Sequence, residues 1–229
     1  LPVTAERGAA VKEGRRLYFS EEEFALLLEL APGGEYTLFL TEQELDDRRL
    51  AAAFASLYQR RLLVREGDTF SLSGAADFFQ ELRNASCIVM LRRERPERRL
   101  ALCYVGKHTL WLAELLGGSP AERYRLSAHR HRDLARWLTD SEFLPAPLLT
   151  DEDTRELKVL FADQLEREPE SGEIARLVRY TNRGEELGSY TLFSGKGCRL
   201  LRVIGPEGTE LKFYTQDALR KMLRECLGG

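Results

Sequence analysis

The chain has three histidines, His108, His129 and His131, and two of them fall within "SAHRHRDLARWL", Ser127 to Leu138. Paired histidines can hold a metal ion or exchange a proton near neutral pH. Either use requires the two rings to converge. The segment reads as a helix from Ala128, and on a helix only residues three or four apart share a face, so His129 and His131 diverge. On a strand they would share a face, but Arg130 and Arg132 crowd that segment with positive charge, which disfavours a cation. No Cys, His or carboxylate cluster stands at zinc-like spacing, and no recognisable nucleophile accompanies the rings. His129 and His131 are therefore expected as exposed first-turn residues of a helix capped by Ser127, facing a partner.

The densest basic run is "LRRERPERR", Leu91 to Arg99, holding Arg92, Arg93, Arg95, Arg98 and Arg99. A hairpin tip of this kind can grip phosphates. Here Glu94 and Glu97 interrupt the charge, and no aromatic residues interleave to stack bases. A partner-facing tip is the better reading. These five arginines, with His129 and His131, are the expected partner-binding residues. "FSGKGC", Phe193 to Cys198, lacks the order of a phosphate-binding loop and reads as a hairpin turn. The acids of "TDEDTRE" suit a helix start, where they complement the macrodipole. Cys87, Cys103, Cys198 and Cys226 lack metal or redox spacing and read as reduced, buried thiols. These readings imply no enzyme, no metal and no cofactor.

The elements that must position these residues follow from pattern. Ser20 and Glu23 form a capping box ahead of "FALLLEL", and Pro32 ends that helix. "EYTLFL" reads as a short strand or connector, and Thr41 with Glu44 opens a short helix. "DDRRLAAAFASLYQRR" is a helix with one apolar face, "LLVREGDTFSLS" a hairpin turning at Gly67-Asp68, and "GAADFFQELRNA" a further helix. Helix, helix, hairpin, helix is the order of a winged-helix-like segment, residues 1–85. Residues 86–140 then read as four strands and a helix. Residues 141–172 form a linker with a helix capped by Thr150 and Asp153. Residues 173–229 repeat the ββββα order, so that "YRLSAHRHRDLARWL" lies beside "LKFYTQDALRKML". The expected fold is α+β: a winged-helix-like segment plus two repeated ββββα units in a quasi-two-fold antiparallel sheet, with helices packed on it.

The 229 residues are 43% hydrophobic and 31% charged, ordinary for a globular chain. No apolar run approaches the ~20 residues of a membrane span, so no membrane insertion is expected. "LPVTAERGAAVKEGRR" lacks the apolar centre of a signal peptide and does not begin with Met, which reads as a processed or trimmed end. A cytoplasmic location follows as the expectation. Residues 1–85 carry 10 Lys and Arg against 15 Asp and Glu, whereas residues 86–140 carry 11 against 6. An acidic module is a poor reader of DNA, and nucleic acid is an unfavoured partner. A homodimer remains compatible with the sequence.

Three stretches carry a resemblance: "SEEEFALLLEL", then "LAAAFASLYQRRLLVREGDTFSLS", then two ββββα units closing in "DLARWL" and "DALRKML". In this layout the chain resembles the EspG-type chaperones of type VII (ESX) secretion. "GCRLLRVIG", Gly197 to Gly205, and "YTQDALRKML", Tyr214 to Leu223, are similar to patterns in that family's second half. Arg61 stands where the family's turn usually has glycine, and Gln216 where proline is common. The resemblance implies a non-enzymatic cytoplasmic chaperone or adaptor that binds a helical secreted protein. The alternative from the residues alone is a winged-helix transcription regulator with an effector or dimerisation half.

Overall fold

The computed structural model describes residues 16–33, 38, 46–117, 123–147, 149–150, 154, 172–195 and 198–227. The "EYTLFL" segment, the Thr41–Glu44 capping box and the linker helix after Thr150 lie outside the described residues, apart from single positions. The described elements, in chain order, are β1 (Arg16–Phe19), α1 (Glu21–Leu30), α2 (Asp47–Gln59), β2 (Leu63–Glu66), β3 (Thr69–Leu72), α3 (Phe78–Arg83) and β4 (Cys87–Arg93). There follow β5 (Arg99–Val105), β6 (Leu110–Leu115), β7 (Tyr124–His129), α4 (Leu134–Asp140), β8 (Glu173–Thr181), β9 (Glu186–Ser194), β10 (Arg199–Gly205), β11 (Gly208–Phe213) and α5 (Gln216–Cys226). The protein is mixed α+β. None of its described helices is long and apolar enough to cross a membrane.

Local sequence dictates the first helix. The Ser20 side chain accepts from the Glu23 backbone, and the Glu23 carboxylate accepts from the Ser20 backbone, each at 3.2 Å. This reciprocal pair satisfies donors that a helix start leaves open. Phe24, Leu27 and Leu28 are buried on the face that this start directs inward. The β2–β3 hairpin turns through Gly67 at φ 66°, which glycine adopts without a steric penalty. The helix expected from "GAADFFQELRNA" is shorter than its pattern and spans Phe78–Arg83.

Nine of the described strands form one antiparallel sheet in the order β1-β7-β6-β5-β4-β8-β9-β10-β11, while β2 and β3 pair separately. The meanders β4–β7 and β8–β11 meet where β4 pairs with β8, Leu91 opposite Leu177. Side chains alternate across the pleat. Cys87, Val89 and Leu91 therefore face one side with Leu177, Leu192 and Leu201, beneath Leu134 and Leu138 of α4 and Leu219, Met222 and Leu223 of α5. Ile88, Leu102, Tyr104, Trp111 and Leu126 face the other side, against Phe24, Leu27, Phe79 and Leu82 of α1 and α3. This second cluster draws on residues from both sides of Ala85. Phe24 stacks on Tyr124 with ring centroids 4.4 Å apart.

One expected element is corrected. Ser127, Ala128 and His129 belong to β7 and do not begin a helix. Ser127 lies opposite Leu112, and His129 opposite Leu110. Pairing with β6 extends β7 to His129, with β1 paired as far as Ser127, and a single 3-10 turn, His131–Asp133, leads into α4. Ser127 is buried and caps nothing. In the second meander Thr215 does cap its helix, accepting from the Ala218 backbone at 3.1 Å.

Candidate functional site

The arginine run is divided by the hairpin that carries it. Strand β4 ends at Arg93 and β5 starts at Arg99, so the tip is residues 94–98. Backbone alternation sends consecutive arginines to opposite faces. Arg92 pairs with Glu94. Arg93 is buried, donating from Nε to the Arg95 carbonyl at 2.8 Å, with its guanidinium 3.7 Å from Glu142. Arg99 turns to the face covered by α4 and α5. There it donates to the Ser141 carbonyl, lies 3.2 Å from the Glu114 carboxylate, and covers the Phe143 ring at 4.6 Å. Arg95 and Arg98 alone among the five are exposed, and neither makes an ion pair among the described residues.

Beside this tip opens a cleft of about 870 Å³. One wall is Arg93, Arg95 and Pro96. A second is the chain after α4, with Glu142, Leu144 and Pro145, and a third comes from Ile174, Ser194 and Arg199. The walls are held by polar contacts. Glu94 donates its backbone N–H to the Ile174 carbonyl at 2.8 Å. Arg199 donates to the Ala146 carbonyl at 2.8 Å, and the Tyr214 hydroxyl to the Pro145 carbonyl at 3.1 Å. The result is an apolar trough with guanidinium groups at its rim. Such a trough suits an amphipathic segment carrying a carboxylate. Sequence reasoning found its arginine wall but missed Glu142, Ile174 and Arg199. No local signal gathers them, because three distant segments meet only in the fold.

The histidines stand elsewhere. His129 is half-buried on β7, sharing a 2.9 Å hydrogen bond between Nε2 and Ser127 Oγ, with its ring 6.3 Å from that of Trp137. His131 is half-buried in the 3-10 turn, and its Nε2 has no hydrogen-bond partner among the described residues. Neither is an exposed first-turn helical residue. Pairing of β7 with β6 carries His129 onto the sheet, while the chain turns away before His131. Ser127 and His129 form a hydroxyl–imidazole contact, and neither lines any of the three clefts described here.

Two smaller clefts share Lys212. One, of about 540 Å³, lies at the start of α5 and collects Lys212, Arg220, Lys221 and Arg224 beside Asp217. The other, of about 460 Å³, is lined by Tyr190 and Glu225. Burial and a hydrogen bond to Glu225 raise the Tyr190 phenol well above its ordinary pKa. All four cysteines are buried, and none is in a disulfide. Burial raises the thiol pKa of Cys103 and pushes that of Cys226 up to about 12, so both remain protonated and unreactive at neutral pH. No group of three or more His, Cys, Asp or Glu among the described residues is arranged to hold a metal.

The cations of the N-terminal segment are largely engaged. Arg49 pairs with Glu22, and Arg60 with Glu23 at 2.8 Å. Arg48 and Arg61 remain exposed at the ends of α2.

No protein-family model matches the chain, and no curated protein matches it.

Proposed function

We propose that this protein is a non-enzymatic adaptor or chaperone that binds a helical secreted protein of a type VII-like system, in the manner of the EspG-type chaperones. The reading includes a winged-helix-like N-terminal segment and two related ββββα units, and it places the activity in the cytoplasm. The observation that carries it is the cleft beside the β4–β5 tip. Its trough contains Leu144, Pro145 and Ile174, and Arg95, without an ion pair among the described residues, stands at its rim. A helix presenting apolar residues with a carboxylate every turn matches that surface. Arg61 adds support. It occupies the place where the family's turn usually has glycine, and it adopts φ 57°, a left-handed conformation that glycine takes without strain.

Transcription regulation has less support. A DNA reader needs several cations converging on one groove. The carboxylates of Glu22 and Glu23 engage two of the four arginines that flank α2. A duplex titration at low salt separates the readings, because DNA binding through this segment would be tight and salt-sensitive.

The test is co-expression with the small helical proteins encoded beside an ESX-type ATPase in the native host. The adaptor reading expects a stable complex by size-exclusion chromatography, lost in an Arg95→Glu/Arg98→Glu variant that keeps its melting temperature. Failure of every such protein to co-elute, or a complex indifferent to both charge reversals, contradicts it.

A further inference from the structure

Arg93 and Glu142 meet in the cleft beside the β4–β5 tip, and they are unequally placed. The Arg93 side chain is 8% exposed and that of Glu142 is 79% exposed, with 3.7 Å between guanidinium and carboxylate. The Arg93 Nε is satisfied by the Arg95 carbonyl at 2.8 Å. Its terminal nitrogens make no hydrogen bond among the described residues, and Glu142 is its only ion-pair partner there. A buried cation is ordinarily matched by a close, hydrogen-bonded anion. Here the anion stands beyond hydrogen-bond reach and mostly in water. The backbone nevertheless holds Glu142 in place. It adopts φ 57°, a left-handed conformation unfavourable for a residue with a Cβ. Its N–H donates to the Thr139 carbonyl at 3.0 Å. On one side of it the Ser141 carbonyl accepts from Arg99. On the other, Phe143 is buried 4.6 Å beneath the Arg99 guanidinium and 5.1 Å from the Trp137 ring. Strained residues persist where their surroundings over-determine them, and they gather at ligand sites.

We propose that the terminal nitrogens of Arg93 form a carboxylate-binding subsite, and that Glu142 is its resident occupant, displaced when a ligand carboxylate arrives. The subsite rests on the adaptor reading only for the bearer of that carboxylate, an acidic side chain of the helical partner. A guanidinium takes a carboxylate through two parallel hydrogen bonds, a closer contact than Glu142 makes. Arg95 and Pro96 line the same cleft and are exposed, so the approach from the tip side is open. Arg95 has no ion pair among the described residues, and its charge steers an incoming anion toward Arg93. A ligand must outcompete a carboxylate tethered to the chain. Glu142 therefore weakens binding of isolated acids and favours a partner that is also anchored along the apolar trough.

Glycine suits φ 57°, so Glu142→Gly removes the occupant without straining the turn. Sodium propionate, which reproduces the end of a glutamate side chain, is the probe, with sodium chloride at equal concentration as the reference. A ligand that binds the folded chain raises its melting point in a saturable way. Glu142→Gly is expected to gain roughly 2–4 °C over chloride at about a fivefold excess of propionate over its dissociation constant. Wild type gains less, because Glu142 competes. Glu142→Gly/Arg93→Gln gains nothing beyond chloride. With the co-expressed helical partner, Glu142→Gly is expected to tighten the complex several-fold. Equal gains in wild type and Glu142→Gly overturn the proposal, whatever the folding of the double variant. So does a gain that survives the loss of Arg93, or a complex weakened by Glu142→Gly. A propionate gain confined to Glu142→Gly, with no partner complex formed, upholds the subsite and contradicts the adaptor reading. A complex that forms while the propionate gains are equal does the reverse.

Discussion

The Arg60 guanidinium, just past the end of α2, lies 2.8 Å from the carboxylate of Glu23 in the first turn of α1. The other oxygen of that carboxylate accepts from the Ser56 hydroxyl at 2.6 Å. Glu21 and Glu22 are likewise buried and likewise meet arginines from other elements, Arg123 and Arg49. The acidic first turn of α1 is thus the joint that fastens α2 and the start of β7 to the helix layer. The same joint engages cations that a DNA-reading module would need.

Glu23 holds an N-cap, a hydroxyl and an arginine at once, so truncating it removes all three. Glu23→Ala should cost about 2–3 kcal/mol, combining a lost cap with charged hydrogen bonds. That corresponds to a melting point lower by roughly 4–12 °C for a chain of this size. Thermal unfolding followed by circular dichroism checks it. A shift under one degree would remove Glu23 from its structural role.

Glu114 is buried on β6 between two guanidiniums, Arg99 at 3.2 Å and Arg125 at 2.6 Å. The carboxylate also raises the Arg125 pKa, chiefly through its hydrogen bond. Glu114→Ala leaves two like charges facing each other without their counterion, at a cost of about 3 kcal/mol or more. Arg125→Ala should cost less, because Arg99 still neutralises the acid and Arg125 is partly solvated. Urea denaturation of both variants should show that order.

The buried thiols make stability fall in alkali. Cys226 is raised from an ordinary 9.0 to about 12, and Cys103 is raised by burial. Folding therefore holds protons that the unfolded chain releases. The contribution is complete below pH 9 and is lost as pH climbs from there toward 12. Each such thiol sets a limiting slope of about 1.4 kcal/mol per pH unit. Tyr190 and Tyr214, both raised by burial, act with the same sign at higher pH. Chemical denaturation from pH 7 to pH 11 should show the decline, shallower in a Cys103→Ala/Cys226→Ala variant.

Arg61 sits in a left-handed conformation at φ 57°. Arg61→Gly should relieve strain of about 1 kcal/mol, net of the extra freedom glycine gives the unfolded chain. The melting point should rise by roughly 2–4 °C. A lower melting point would mean that the Arg61 side chain contributes more than its backbone costs.

What the sequence revealed depended on whether the deciding interaction was local. The Ser20–Glu23 box is closed within four residues, so type and spacing sufficed. The apolar face of α4, Leu134 and Leu138, was visible by period, with Trp137 packing at its margin. The start of that helix was not. Strand pairing held Ser127 to His129 in β7, and no residue within "SAHRHRD" records that β6 and β1 lie on either side. β1 itself went unassigned for the same reason, being four residues that gain their bonds from β7. Within "LRRERPERR" the charge was legible but its distribution was not. Arg93 and Arg99 are turned inward by the pleat and by Glu142 and Glu114, acids that are distant in the chain. Only Arg95 and Arg98 stay as the composition implied.

The most direct test of the adaptor reading is hydrogen exchange on the complex with its co-expressed helical partner. Slowed exchange is predicted at residues 94–98 and 142–146, around the cleft, and is predicted to disappear with Arg95→Glu/Arg98→Glu. Unchanged exchange at both segments in a complex that nonetheless forms would contradict the assignment of this cleft as the partner site.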